Sequence, residues 1–242
     1  MMHHLQDAWH TLRPRADDPH GPLPGLLVLL TVVTGLVDAF SYLTLGRVFV
    51  ANMTGNVVFL SFDLGGAPGF IWWASLLSIA AFLVGAYAGG GIAKAWGRHR
   101  GLHLFRAAVG QSVLVAVALI LSLFFETPYH DGTLAVLIGL LGIAMGLQNS
   151  TARALAVPDL TTTVLTLTLT GITSDSAQKG QSRLGRRLVS VVAMFAGGAA
   201  GTLLVVHGHA GSVLLLALVL LLAVVAGAGR RRTAGEAWTA GR

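Results

Sequence analysis

The chain contains no cysteine in 242 residues. Disulfides, thiolate nucleophiles and thiolate metal sites are therefore excluded, and the compartment cannot be read from redox logic. Charge is also scarce, at 11% of residues. So few charges cannot cover a soluble domain of this length, whereas contact with lipid removes the need for them. Catalytic signatures are missing as well. Gly89-Gly90-Gly91 is followed by no phosphate-loop lysine, and neither a serine elbow nor a metalloprotease helix occurs. No nucleophile–base pair or metal set can be assembled, so the expectation is a protein that is not an enzyme and needs no cofactor or metal.

What is present is apolar. Hydrophobic residues make up 54% of the chain, and the formal net charge is +6. The basic residues sit at the ends of apolar stretches and form no single stripe. This argues against a nucleic-acid partner and for topology signals beside anionic lipid headgroups. Residues 1–20 are polar and of mixed charge, with Asp7, Asp17 and Asp18 beside Arg13 and Arg15. No small-residue cleavage site follows the first apolar run, which reads as a retained span. His3 and His4 are too few to be a tag.

Six stretches are long enough to cross a bilayer, at residues 24–45, 69–93, 104–125, 133–152, 187–206 and 211–229, against about 20 residues per crossing. Two shorter apolar segments, 48–62 and 157–172, decide the topology. If only the long stretches cross and the N-terminus is cytoplasmic, fifteen of the 16 Lys and Arg lie inside and Arg47 alone lies outside. If the short segments cross as well, Lys94, Arg98, Arg100, Arg106 and Arg153 move outside, and the split falls to ten against six. The positive-inside rule selects six crossings, with each short segment entering and leaving on one side.

The chain also repeats itself. With Gly35 laid on Gly146, Asp38 falls on Asn149. After a four-residue gap, Asn52, Thr54 and Asn56 fall on Asp159, Thr161 and Thr163. Three crossings per copy is an odd number, so the second copy is inverted relative to the first, a plan known among transporters. The expected fold is an all-α membrane protein of six transmembrane helices in two inverted three-helix repeats, each with a short re-entrant or half-helix segment. Its parts are a polar cytoplasmic tail at 1–23, repeat 1 at 24–125, repeat 2 at 133–229 and a basic cytoplasmic tail at 230–242. Phe82-x-x-Gly85 pairs with Phe195-x-x-Gly198. Gly85-x-x-x-Gly89 and Gly197-x-x-x-Gly201 place small residues one turn apart, where helix backbones can approach closely. Trp72 and Trp73 read as interfacial anchors.

Asp38 is the sharpest single residue. It lies about 18 Å along an apolar helix at about 1.5 Å per residue, where an ionised carboxylate must be paired, hydrated or protonated. Two readings stand: a coupling carboxylate or ligand contact facing a polar cavity, or a structural carboxylate bonded to a neighbouring helix or to backbone amides. Asn52, Thr54 and Asn56 open the first short segment, and Asp159, Thr161 and Thr163 the second. Such residues cap helix N-termini, and a half-helix ending inside the bilayer would present free N–H groups to a polar solute or anion. The alternative is ordinary capping at the membrane surface. The strand-like alternation over 161–170 is overruled, because a lone strand with open edges is not tolerated in lipid; Thr166, Thr168 and Thr170 would then bond back to carbonyls or face a cavity. His99 and His103, four apart, and His207 and His209 read as solvated surface. Arg183, Arg186 and Arg187 read as a topology signal, with an anion contact at the inner mouth as the alternative.

Four segments taken together resemble the YoaK family of bacterial membrane proteins: G-L-V-D-A-F-S-Y-L, F-V-A-N-M-T-G-N-V-V, G-L-Q-N-S-T-A-R and V-P-D-L-T-T-T-V-L-T. The resemblance runs from about Leu26 to the sixth span. It implies a six-span protein of the bacterial inner membrane and supplies no substrate or cofactor, since the function of that family is unknown. The leading expectation is a small-solute permease with a midplane site built from Asp38, Asn52, Thr54, Asn56, Asn149, Asp159, Thr161 and Thr163, with Asp38 or Asp159 able to carry a proton. A passive channel of opposed half-helices and a non-transporting scaffold or partner subunit are the alternatives. The expected partners are the lipid bilayer, a small solute or ion and, in one reading, a second copy of the chain as a homodimer.

Overall fold

A computed structural model describes residues 18–163, 184–230 and 237–240, together with Trp9, Thr11 and Thr170. Its helices are α1 (Leu23–Thr44), α2 (Met53–Leu64), α3 (Trp72–Trp96), α4 (Arg100–Phe124), α5 (Asp131–Leu155), α6 (Leu184–Val206) and α7 (Ala210–Gly229), followed by a 3-10 turn at Ala237–Thr239. All but α2 are long and apolar enough to cross a membrane. The six expected spans are thus present, each with its ends shifted by a few residues for local reasons. α4 begins at Arg100 because His99 caps it, its Nδ1 accepting from Leu102 N–H at 3.1 Å. α5 continues through the polar run Gln148–Arg153 and stops where Ala156 turns left-handed, φ 49°. α3 starts only after Gly69, whose φ of 84° makes the preceding turn.

α1 and α5 form the centre of the bundle and are its most buried spans. α1 packs on α6 and α7, α5 packs on α3 and α4, and α4 also packs on α7. In the two close crossings the helices run parallel, and small residues set the approach. A Cβ on Gly85 would meet the Ile143 carbonyl, and one on Gly146 would meet the Phe82 carbonyl and Ala86 N. A Cβ on Gly197 would meet the Val32 carbonyl, and one on Gly35 the Met194 carbonyl and Gly198 N. These are the same contacts made twice. Each α1 residue in these contacts has its counterpart 111 positions later in α5, and each α3 residue has its counterpart 112 positions later in α6. Gly89 against the Leu147 carbonyl and Gly201 against the Leu36 carbonyl complete the series. The register corrects one expected pairing: Phe82 corresponds to Met194 and not to Phe195, which points outward and is 75% exposed. Backbone approach at the glycines fixes the register, and an outward phenyl ring does not contribute to it.

The two ends of the bundle are distinguished by contacts. At one end Arg100 reaches the Leu155 carbonyl, the Trp238 carbonyl at 3.4 Å and His20 Nδ1 at 3.2 Å. The stretches before α1 and after α7, the α3–α4 turn and the end of α5 therefore meet there. At the other end Gly46 lies against Ile71 and Leu134, and Gly69 against the Arg47 guanidinium.

Candidate functional site

Between Thr44 and α3 the chain folds back into the bundle. Leu45 ends α1, and Val48, Val50 and Ala51 run back into the bundle, all buried. Val50 N–H and Ala51 N–H donate to Asp38 Oδ1 at 3.1 and 2.9 Å, one and a half turns before the end of α1. α2 then carries the chain about 18 Å at 1.5 Å per residue, and it leaves beside Arg47, whose guanidinium lies 5.8 Å from the centre of the Phe70 ring. The segment enters and leaves at one end of the bundle, as the charge distribution requires.

Irregular backbone at this depth needs partners for its amides and carbonyls. Side chains supply them. Asn56 accepts from Phe49 N–H at 2.9 Å and donates to the Phe49 carbonyl at 2.6 Å. Ser78 of α3 donates to the same carbonyl at 2.6 Å. Phe49 itself stacks on Tyr42 and packs against Phe59, with ring centres 5.0 and 5.6 Å apart. Asp38 and Asn56 are thus the residues that hold the loop. This is the second of the two readings of Asp38, bonding to backbone amides, with one qualification: its Oδ2 is buried and has no partner among the described residues.

At the inner tip of this loop lies a cavity of about 540 Å³, lined by Asn52, Met53, Thr54, Phe59, Phe82, Asn149, Thr163 and Met194 among others. Four of the eight expected site residues, Asn52, Thr54, Asn149 and Thr163, meet here. They come from both halves of the chain, and so do the corresponding residues Phe82 and Met194. Asn149 Nδ2 donates to Thr163 Oγ1, tying α5 to the segment that follows it. Asn52 stands at the N-cap position of α2 but makes no side-chain cap bond, so the capping role expected of it is not realised and its amide is left to the cavity.

The remaining four lie off the cavity wall. Asp38 and Asn56 are enclosed in the loop. Asp159 has a φ of 63° and pairs with Arg187 Nε of α6 at 2.9 Å, both side chains being largely buried. This ion pair gives Arg187 a carboxylate partner that its reading as a topology signal did not include. Thr161 is exposed. Half of the second short segment expected over 157–172, including Thr166 and Thr168, falls outside the described residues, and the described stretch 157–163 is irregular chain.

A polar network that the sequence reading did not single out runs through the centre. Gln111 of α4 donates to Gln148 Oε1 at 2.6 Å, and Gln148 Nε2 donates to Thr34 Oγ1 of α1 at 2.7 Å. All three side chains are buried. The signal was available: Gln111 interrupts a long apolar run, and an amide at that depth must be paired. Gln148 lies one residue before Asn149, which drew attention through its repeat partner.

A family model described as a protein of unknown function, DUF1275, matches residues 26–226. The chain is 35% identical over 152 residues to the UPF0700 transmembrane protein YoaK of Bacillus subtilis (strain 168), covering 62% of this chain and 65% of that one. The match therefore spans less than two thirds of that relative's length. No solved structure matches. The sequence motifs, the six long apolar helices and the family match over most of the length agree, and the chain belongs to the DUF1275 family of membrane proteins.

Proposed function

We propose that this protein is a small-solute permease of the bacterial cytoplasmic membrane, built from two inverted three-helix repeats with both termini in the cytoplasm. The observation that carries the reading is the cavity where the two halves meet, walled by Asn52 and Thr54 from one and by Asn149 and Thr163 from the other. The doubled glycine contacts support the repeat: the same parallel crossing is made by α1 with α6 and by α3 with α5. An odd number of crossings between equivalent helices gives them opposite senses in the membrane. Substrate sites of such transporters lie near the midplane at the repeat interface, where non-helical backbone borders a cavity.

The cavity wall also suggests a solute class. Its polar side chains are amides and hydroxyls, and its remaining walls are Phe, Met, Val, Ala and Gly, with no charged residue among the described residues of the wall. This surface suits an uncharged solute with hydrogen-bonding groups and an apolar face. Asp38 fits proton coupling, because Oδ1 holds the loop while Oδ2 is left to take up and release a proton.

The cysteine-free background makes the test direct. Single cysteines at Asn52 and Thr163 are challenged with membrane-impermeant thiol reagents from each face of sealed vesicles. A carrier that alternates its access labels at these positions from both faces. Labelling from neither face means a sealed packing defect and overturns the transport reading in favour of a scaffold. Simultaneous open access, with conductance that does not saturate, would make the protein a channel.

A further inference from the structure

A second cavity, of about 350 Å³, lies at the opposite functional pole from the loop of Asp38. It is enclosed by the end of α3 (Ala93, Lys94, Gly97, Arg98), the start of α4 (Arg100, His103) and the end of α5 (Ala154, Leu155, Ala156). Three cations and an imidazole share this wall, and among the described residues no carboxylate does. Arg100 is engaged, since its guanidinium bonds the Leu155 and Trp238 carbonyls and so accounts for the free end of α5. Lys94 and Arg98 are different. Neither has a hydrogen bond or an ion pair among the described residues. His103, expected from the sequence to be solvated surface, is instead 1% exposed, and its Nε2 has no partner among the described residues. Arg106 differs, lying 3.9 Å over the Trp96 ring, whereas Lys94, Arg98 and His103 Nε2 have no such partner among the described residues.

We propose that this cavity binds a phosphate group, carried by an anionic lipid headgroup or by a soluble phosphate compound. Like charges gathered around a concavity repel one another unless an anion joins them, and Arg and Lys are the side chains suited to phosphate oxygens. The volume falls within the range of small-molecule sites. The surrounding cations mark this end as the cytoplasmic one, where basic pockets between spans meet anionic headgroups. The site is separate from the transport cavity and does not depend on it.

The test uses the full chain in nanodiscs of phosphatidylcholine, with three arms: no addition, phosphatidylglycerol mixed into the disc, and inorganic phosphate at matched ionic strength. Saturation of the site raises Tm by about 5 °C. The double variant Lys94→Gln/Arg98→Gln, whose side chains are exposed, loses this rise. The variant Arg47→Gln/Arg230→Gln removes two charges that do not line this cavity and keeps it. A rise with phosphatidylglycerol only identifies a headgroup site, and a rise with free phosphate identifies a soluble ligand. No rise in either arm, or an equal loss in both variants, overturns the proposal, the latter by reducing it to diffuse attraction.

Discussion

Asp38 and Asn56 perform one task with different chemistry. Asp38 accepts two loop N–H groups on one oxygen, and Asn56 satisfies both backbone groups of Phe49. In lipid such groups have no water to fall back on, so removing their partner exposes the full cost of burial. Asp38→Ala therefore lowers stability by about 2–4 kcal/mol, while Asp38→Asn, which keeps an acceptor oxygen, costs about 1 kcal/mol. Thermal unfolding in detergent distinguishes the two. Equal melting of Asp38→Ala and the parent chain would mean that the loop is not held by this carboxylate. The depth of Asp38 could be read from the sequence, and so could its need for a partner. That the partner is the chain's own backbone 12 and 13 residues onward could not, because only the fold brings Val50 and Ala51 to it.

Among the helices, the parallel crossings rest on glycine. α3 and α5 touch through Gly85, Gly89, Gly142 and Gly146, and α1 and α6 through Gly35, Gly197 and Gly201. Without a hydrophobic drive between helices in lipid, close backbone contact supplies the association. A methyl group at Gly85 or Gly197 has no room, because backbone stands in its place. Gly85→Ala and Gly197→Ala are each expected to cost about 2 kcal/mol, and by similar amounts, since the two positions correspond. Gly90→Ala, where an added Cβ meets open space, should be neutral or stabilising by up to about 1 kcal/mol. Melting curves of the three variants check the ordering. The G-x-x-x-G spacing announced these contacts in the sequence. Their register was less legible: matching Phe82 with Phe195 is one residue off, because similar side chains can face different ways on two helices while the backbone contacts cannot shift.

For the whole molecule, charge governs topology. Arg47 lies at the end of the bundle where α2 exits, and Arg100 gathers both flanking stretches at the other end. Reporter fusions follow from this. Alkaline phosphatase is expected to be active when fused within the α4–α5 turn at Pro128 and inactive at the C-terminus, with a cytoplasmic fluorescent reporter giving the reverse pattern. Activity at both places would imply an even number of crossings between them, with the second short segment, 157–172, acting as a span. The same polarity separates the two cavities, one uncharged and central to the two halves, the other cationic and near the end that carries Arg100.

The sequence by itself determined the membrane class, the number of long spans and the family, because these follow from run length and from the recurrence of polar motifs. Of the eight residues it proposed for a site, four line the central cavity. The tertiary structure decided their division of labour. Asn52, Thr54, Asn149 and Thr163 line the cavity, while Asp38 and Asn56 hold the loop that shapes it and Asp159 pairs with Arg187. It also brought Gln111, Gln148 and Thr34 together from three helices. The reason is physical. Solvent preference is a property of a segment and is written along the chain, whereas a hydrogen-bond partner in a dry interior is whichever group the packing of helices places within about 3 Å.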